Sequence, residues 1–164
     1  MNNLQIDDIL RNDDVGRVLY RGVYASDTLP QCRSGAYVCN TAPSSHPGEH
    51  WVAFFCTEHT VDYFDSYGRK PSTSVLSALK GKEITCNKLC LQSPFSSVCG
   101  QYCIYYLLQR MRNESMSIIV NQFDDNVDYN DQLVYDFVRM HFDLNELSII
   151  DTTGLLVQLA LPRG

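Results

Sequence analysis

The sequence has no apolar run approaching the roughly 18 residues that a membrane-spanning helix needs. Its start lacks the apolar core of a secretory leader as well, because Asp7 and Asp8 fall within the first ten residues. These two absences predict a soluble, unsecreted protein with no membrane partner. Low-complexity tracts are also missing, and 45% hydrophobic with 20% charged residues is the composition of a chain that folds throughout. Positive charge is in short supply: the net charge is −6. That sign is wrong for wrapping phosphate backbones and leaves DNA as a disfavoured, at most auxiliary, partner. No internal repeat or linker-like stretch breaks the 164 residues, so 1–164 is read as one domain. A chain of that size buries about 70% of its unfolded surface.

Paired metal-ligand motifs are absent too. The seven cysteines include no CxxC, and Cys86/Cys90 and Cys99/Cys103 each stand four apart with no histidine beside them. Zinc is therefore disfavoured, and neither a metal nor a cofactor is expected. The count is odd and several cysteines lie inside apolar runs. Thiols used as small hydrophobes in a reducing intracellular compartment fit that pattern better than a disulfide framework.

What is present reads as an α+β chain. Leu4, Ile6, Ile9 and Leu10 recur at helical spacing before Asn12-Asp13-Asp14 stops them. Val18 to Tyr20, Val23-Tyr24 and Ala36 to Cys39 are strand-like, and Ser44 to Gly48 is a loop. Trp51 to Cys56 is almost continuously apolar, which predicts a strand covered on both faces, with Thr60 to Asp65 as its hairpin partner. Pro71 to Lys80 predicts a short helix closed by Gly81, and Glu83 to Leu91 a further strand. Cys99, Cys103, Ile104, Leu107, Leu108 and Met111 give the strongest helical pattern. A last helix is expected near Asn130 as N-cap, with Leu133, Val134, Phe137, Val138 and Met140 inward. Leu155 to Leu161 has no clear assignment.

Cys99-Gly100 stands where a Ser/Pro loop meets the first turn of that strongest helix. A thiol there sees the positive end of the helix dipole and free backbone N–H groups, both of which favour the nucleophilic thiolate. Gly100 would let a substrate chain approach closely. A lone cysteine at such a junction is more often a packed structural thiol, so partners decide. Of the four histidines, His50 is the best placed, at the mouth of the Trp51–Cys56 strand. With a hairpin turn near Glu58-His59, antiparallel pairing carries Asp65 beside His50 to orient the ring. Gln92 precedes Cys99 by seven residues, so its amide could join the Cys99 N–H at an oxyanion. Taken singly, Asp65 also suits a turn and Gln92 a strand end; the four together define a candidate thiol-hydrolase site.

Gly48-Glu49-His50-Trp51, then Phe64-Asp65-Ser66-Tyr67-Gly68, then Gln92-Ser93-Pro94 ahead of Cys99-Gly100 resemble the adenovirus-protease family, adenain, and more distantly the ubiquitin-like-protein proteases. Asn40-Thr41-Ala42 and the stretch Gln132-Leu133 to Phe137 and His141 share that texture, so the resemblance covers most of the chain. It implies a papain-like α+β fold of the adenain type, a mixed sheet packed against helices with the nucleophile at a helix N-terminus. It further implies Cys99 as nucleophile, His50 as base, Asp65 as orienting acid and Gln92 as oxyanion donor, with Trp51 and Gly48 in the substrate cleft. The implied activity is cleavage of viral precursor proteins or polyproteins after a small, glycine-type residue, in host nucleus, cytoplasm or virion. A deconjugating isopeptidase acting on a ubiquitin-like modifier and a non-catalytic binding module are the competing readings. Two departures stand out: an aspartate replaces adenain's glutamate at 65, and the Asp65–Cys99 segment is shorter. Adenain's peptide activator is disulfide-linked, and the position of the cysteine it uses aligns near Glu83, with Cys86 or Cys90 the nearest substitutes.

Overall fold

A computed structural model describes residues 1–142. The chain begins with α1 (Asn3–Asn12), where Asn2 and Gln5 form a capping box that satisfies two otherwise unpaired N–H groups. Ile6, Ile9 and Leu10 are buried, whereas Leu4 of the same run is exposed. A single helical turn, α2 (Gly16–Leu19), then leads into β1 (Tyr20–Ala25). Val18 and Leu19, expected in a strand, belong to that turn, which the Asp13 carboxylate starts by accepting from the N–H groups of Val15 and Gly16.

The sheet is five-stranded and mixed, in the spatial order of the sequence. β2 (Gly35–Asn40) runs parallel to β1 and antiparallel to β3 (Trp51–Cys56); β3 pairs antiparallel with β4 (Thr60–Phe64). After α3 (Thr73–Ala78), capped by Ser72, β5 (Glu83–Cys86) returns parallel to β4. The strand expected over 83–91 thus ends at Cys86. From Asn87 the chain leaves the sheet, and Asn87, Leu91 and Gln92 are tied to residues 63–66 by hydrogen bonds instead. The apolar continuity of β3 has the predicted cause, both faces being covered, and β2 is covered in the same way. Tyr37, Val52, Phe54, Cys56 and Tyr63 form one cluster with Val75 and Leu79 of α3. Ala36, Val38, Ala53 and Phe64 face the opposite way, onto a larger cluster.

At the centre of the larger cluster lies α4 (Cys99–Met111), buried on nearly every side and packed on α1, α5 (Met116–Val120) and α6 (Val127–Phe142). Phe64 of β4 stacks on Tyr106 of α4 with ring centroids 4.4 Å apart. Arg110 closes the exposed end of this contact, with its Nε 2.8 Å from Asp62 and its guanidinium 4.5 Å above the Phe55 ring. The short α5, capped by Ser115, has no counterpart in the sequence expectation. In α6, Val134 and Val138 are fully buried as expected, but Met140 is exposed. Asn130 does not cap α6. The cap role falls to Asn126, whose Oδ1 accepts from the N–H groups of Asp128 and Tyr129, while Asn130 lies inside the helix and its amide donates to the Leu91 and Asp124 carbonyls. The Leu155–Leu161 stretch lies outside the described residues. Among the described residues, no helix is long and apolar enough to cross a membrane.

Leu107 of α4 is fully buried within the larger cluster. Leu107→Ala should lower unfolding free energy by about 2–5 kcal/mol, read as a reduced urea midpoint at unchanged slope.

Candidate active site

Three elements converge at one end of the sheet. β3 starts at Trp51, so His50 is held at the strand mouth, where its carbonyl accepts from the N–H of Thr41. The loop before it is fastened by Asn40, whose Oδ1 accepts from the N–H groups of Ala42 and Glu49. Asp65 follows β4 directly and is 2% exposed. It is clamped by Asn87: the Asp65 N–H donates to Asn87 Oδ1 at 2.9 Å, and Asn87 Nδ2 donates back to the Asp65 carbonyl at 2.7 Å. The Asp65 carboxylate accepts from the Tyr67 N–H at 2.8 Å, and the following turn needs Gly68. Gly68 has φ +67°, and a Cβ there would stand 2.8 Å from the carbonyl oxygens of Lys88 and Leu89.

These constraints set the Asp65 Oδ1 to His50 Nε2 distance at 2.8 Å in a buried environment. Because Nε2 is engaged, Nδ1 is the ring nitrogen left to face Cys99, the first residue of α4, whose thiol hydrogen-bonds the His50 ring. Burial by itself would push the Cys99 thiol up. The His50 hydrogen bond, the backbone N–H groups of Trp51 and Gly100 and the imidazolium charge outweigh it and hold the thiol below its ordinary value. Burial likewise opposes the imidazolium, yet the Asp65 and Cys99 hydrogen bonds and charges raise His50 to about 9. The Tyr67 ring lies over His50, with centroids 4.8 Å apart, and the Arg69 guanidinium lies 4.7 Å from the Tyr67 ring on its own side.

Gln92 has no exposed surface and is oriented from both ends: Ser66 Oγ donates to its Oε1 at 2.6 Å, and its Nε2 donates to Ser96 Oγ at 3.1 Å and to the Ser96 carbonyl at 3.3 Å. The flanking backbone is pinned from α4 and α6. Tyr102 Oη donates to the Leu91 carbonyl and to Asp131 Oδ1, and the Ser93 N–H donates to Asp131 Oδ2. A cleft of about 760 Å³ opens over the group, lined by Gly48, Trp51, Tyr67 and Gln92 with His50 and Cys99. His50, Asp65, Gln92, Cys99, Trp51 and Gly48 lie together around this cleft.

Gly100 departs from expectation. It is buried, and the direction a side chain would take meets Ile6 Cδ1 at 3.2 Å and Met1 Cβ at 3.3 Å, so packing of the N-terminal helix occupies that space and no substrate chain can approach there. Sequence reasoning missed the residues that hold the others in position: Asn40, Ser66, Tyr67, Asn87, Asn130 and Asp131. Of these, Ser66 and Tyr67 stand next to Asp65 and Asn40 lies in a stretch already noted; Asn87, Asn130 and Asp131 carry no local signal.

The α+β arrangement is that of the papain-like cysteine proteases of the adenain type, with the five-stranded mixed sheet packed on the helix that begins at the cysteine. Among solved structures the chain is similar to the ASFV pS273R protease, at TM-score 0.61 and 18% identity over 83% of this chain and 64% of that one. A selenomethionine structure of that protease matches at TM-score 0.44 and 23% identity, over 58% of this chain and 41% of that one. The chain therefore spans less than two thirds of the length of the protease it resembles. No family model and no curated protein matches it.

Two outcomes follow from the geometry. A raised His50 keeps its proton up to about 9, and a lowered Cys99 loses its proton below the ordinary thiol value, so the ion pair forms above the lowered Cys99 value and persists up to about 9. Iodoacetamide should label Cys99 rapidly well below pH 8, and His50→Ala should return the rate to that of an ordinary thiol. Gly100→Ala should overpack the α1–α4 contact and cost about 1–3 kcal/mol of stability, measured by chemical unfolding.

Proposed function

We propose that the chain is a thiol-dependent peptide hydrolase, a cysteine endopeptidase whose nucleophile is Cys99. The observation that carries this reading is the relay from Cys99, at the first turn of α4, to a His50 ring whose far nitrogen is held by buried Asp65. The thiolate attacks the scissile carbonyl, and the C–N bond breaks as His50 protonates the leaving amine; water, deprotonated by His50, then releases the acyl group. Backbone N–H groups at the start of α4 have no intrahelical partner and face the oxyanion together with the Gln92 amide. That amide carries two hydrogens, both directed at Ser96, so it gives up one of these two bonds when it donates to the oxyanion.

The substrates on this reading are precursor proteins or polyproteins cleaved after a small, glycine-type residue during virion maturation. Support comes from the sequence motifs shared with adenain and from the fold shared with the ASFV protease. Residues 1–164 act as one protease domain in the infected cell's nucleus or cytoplasm or within the virion. A peptide activator remains compatible with the site, whereas the net charge of −6 disfavours DNA as one. One feature favours a second reading, removal of a ubiquitin-like modifier: the orienting acid is an aspartate, as in the deconjugating relatives.

Fluorogenic peptides ending in Gly-Gly-aminomethylcoumarin and modifier-propargylamide probes separate these readings. Cleavage of the peptides with no probe labelling supports the endopeptidase, and covalent capture of a modifier probe supports the isopeptidase. Cys99→Ala should abolish turnover of a folded protein, and undiminished turnover would eliminate the mechanism. Asp65→Asn should reduce kcat less than Cys99→Ala, because it misorients the base without removing it. Gln92→Ala should lower kcat by about 10²- to 10³-fold.

A further inference from the structure

A second thiol arrangement lies at the opposite end of β3 from His50. Cys56 is the last residue of that strand, fully buried and paired with Gly35. Cys32 sits in the connection between β1 and β2, pinned against α3 by its N–H donating to the Ala78 carbonyl at 3.0 Å. Both belong to the apolar cluster between sheet and α3, where the Cys32 thiol donates to the Pro30 carbonyl at 3.5 Å and the neighbouring Cys56 thiol acts on it most strongly. Lys82 is fixed alongside, its Nζ donating to the carbonyls of Thr57 at 2.6 Å and Glu58 at 2.8 Å, the two residues that follow Cys56.

Cys32 is not sealed off. It lines a cavity of about 940 Å³ whose charged walls are Arg21, Arg33, Lys80 and Lys82, opposed by Glu58 alone. In a chain of net charge −6 such a cationic pocket is a local reversal of sign. The two thiols are unequal. The hydrogen bond from Cys56 lowers Cys32 against the cost of burial, with Lys82 adding to it, while the same hydrogen bond and burial push Cys56 up. Burial pushes Cys39 and Cys103 up as well, so Cys32 alone among the buried thiols is moved toward the thiolate. A thiolate at a water-accessible wall, with a protonated thiol in contact behind it, is the geometry of an attacking and a resolving cysteine.

We propose that Cys32 and Cys56 form a dithiol modification site that a hydroperoxide converts into an intramolecular disulfide. The Cys32 thiolate attacks one oxygen of hydrogen peroxide, the O–O bond breaks, and the departing hydroxide takes up the proton Cys32 had released, giving water and a Cys32 sulfenic acid. Cys56 then attacks the Cys32 sulfur. The S–O bond breaks, and hydroxide leaves with the Cys56 proton as a second water. Two thiols supply the two electrons that reduce the peroxide. The bond would tie the β1–β2 connection to β3. That connection, through Thr28, also borders the cleft of Cys99.

The test uses the full chain carrying Cys99→Ala, so that oxidation of the cleft thiol does not interfere and the result is independent of any protease activity. Native protein is treated with hydrogen peroxide, blocked with N-ethylmaleimide and digested with trypsin and a glutamyl endopeptidase. These cuts place Cys32, Cys39 and Cys56 in separate peptides, 22–33, 34–49 and 50–58. The expected result is a peptide 22–33 linked to 50–58, short of two hydrogens, reversed by dithiothreitol and formed before Cys39, Cys86 or Cys103 is altered. Cys32→Ser and Cys56→Ser should each remove the link, with circular dichroism confirming that they fold; the link in the parent chain is decisive even if one does not. Sulfinic or sulfonic acid at Cys32 beside an unlinked Cys56, a link through Cys39 or Cys90, or no faster reaction than the other buried thiols would each overturn the proposal.

Discussion

The 2.8 Å hydrogen bond between His50 and Asp65 is the constraint on which the site depends, because both groups are buried and neither can satisfy itself with water. A buried carboxylate is tolerable only where enough donors surround it. Here the donors are the His50 ring and the Tyr67 N–H, while Asn87 grips the Asp65 backbone on both its N–H and its carbonyl. The β3–β4 hairpin supplies the approximate approach of 50 and 65; the Asn87 clamp and the Gly68 turn convert that approach into a fixed distance. Without them Asp65 would be one more residue at the end of a strand.

A second network does the same for the other wall of the cleft. Residues 91–93 have no regular secondary structure, yet they are held by Tyr102 of α4 and by Asn130 and Asp131 of α6. Gln92 is then locked between Ser66 and Ser96. The Gln92 wall therefore takes its position from a helix nearly forty residues downstream, and the histidine wall takes its position from the sheet. The two walls meet because α4 packs on β3 and β4, with Phe64 stacked on Tyr106 and Arg110 bridging to Asp62.

Much of this was legible in advance because it rests on local periodicity. The apolar stripe from Cys103 to Met111, the two-faced apolar run of β3 and the hairpin turn at Glu58-His59 each declare an element by spacing alone. Three misreadings share one physical cause. Residues 87–91 have strand-like composition but leave the sheet because Asn87 spends its hydrogen bonds on Asp65. Asn130 looks like a cap but faces inward to the Leu91 carbonyl. Gly100 looks open but is filled by Ile6 and Met1. In every case a distant partner overrides the local preference, and such partners leave no trace in neighbouring residues.

The sequence by itself determined the order and type of the main elements, the placement of Cys99 at a helix start and the company of His50, Asp65 and Gln92, since these follow from periodicity, turn chemistry and strand pairing. Only the tertiary structure decided which ring nitrogen of His50 faces the thiol, which residues hold Asp65 and Gln92 still, and which cysteines touch each other. Those features depend largely on contacts between residues far apart in the chain, such as Asp65 with Asn87, 22 positions away, and Leu91 with Asn130, 39 positions away. Contacts of that range are selected by the packing of the whole core, and short-range pattern carries no record of them.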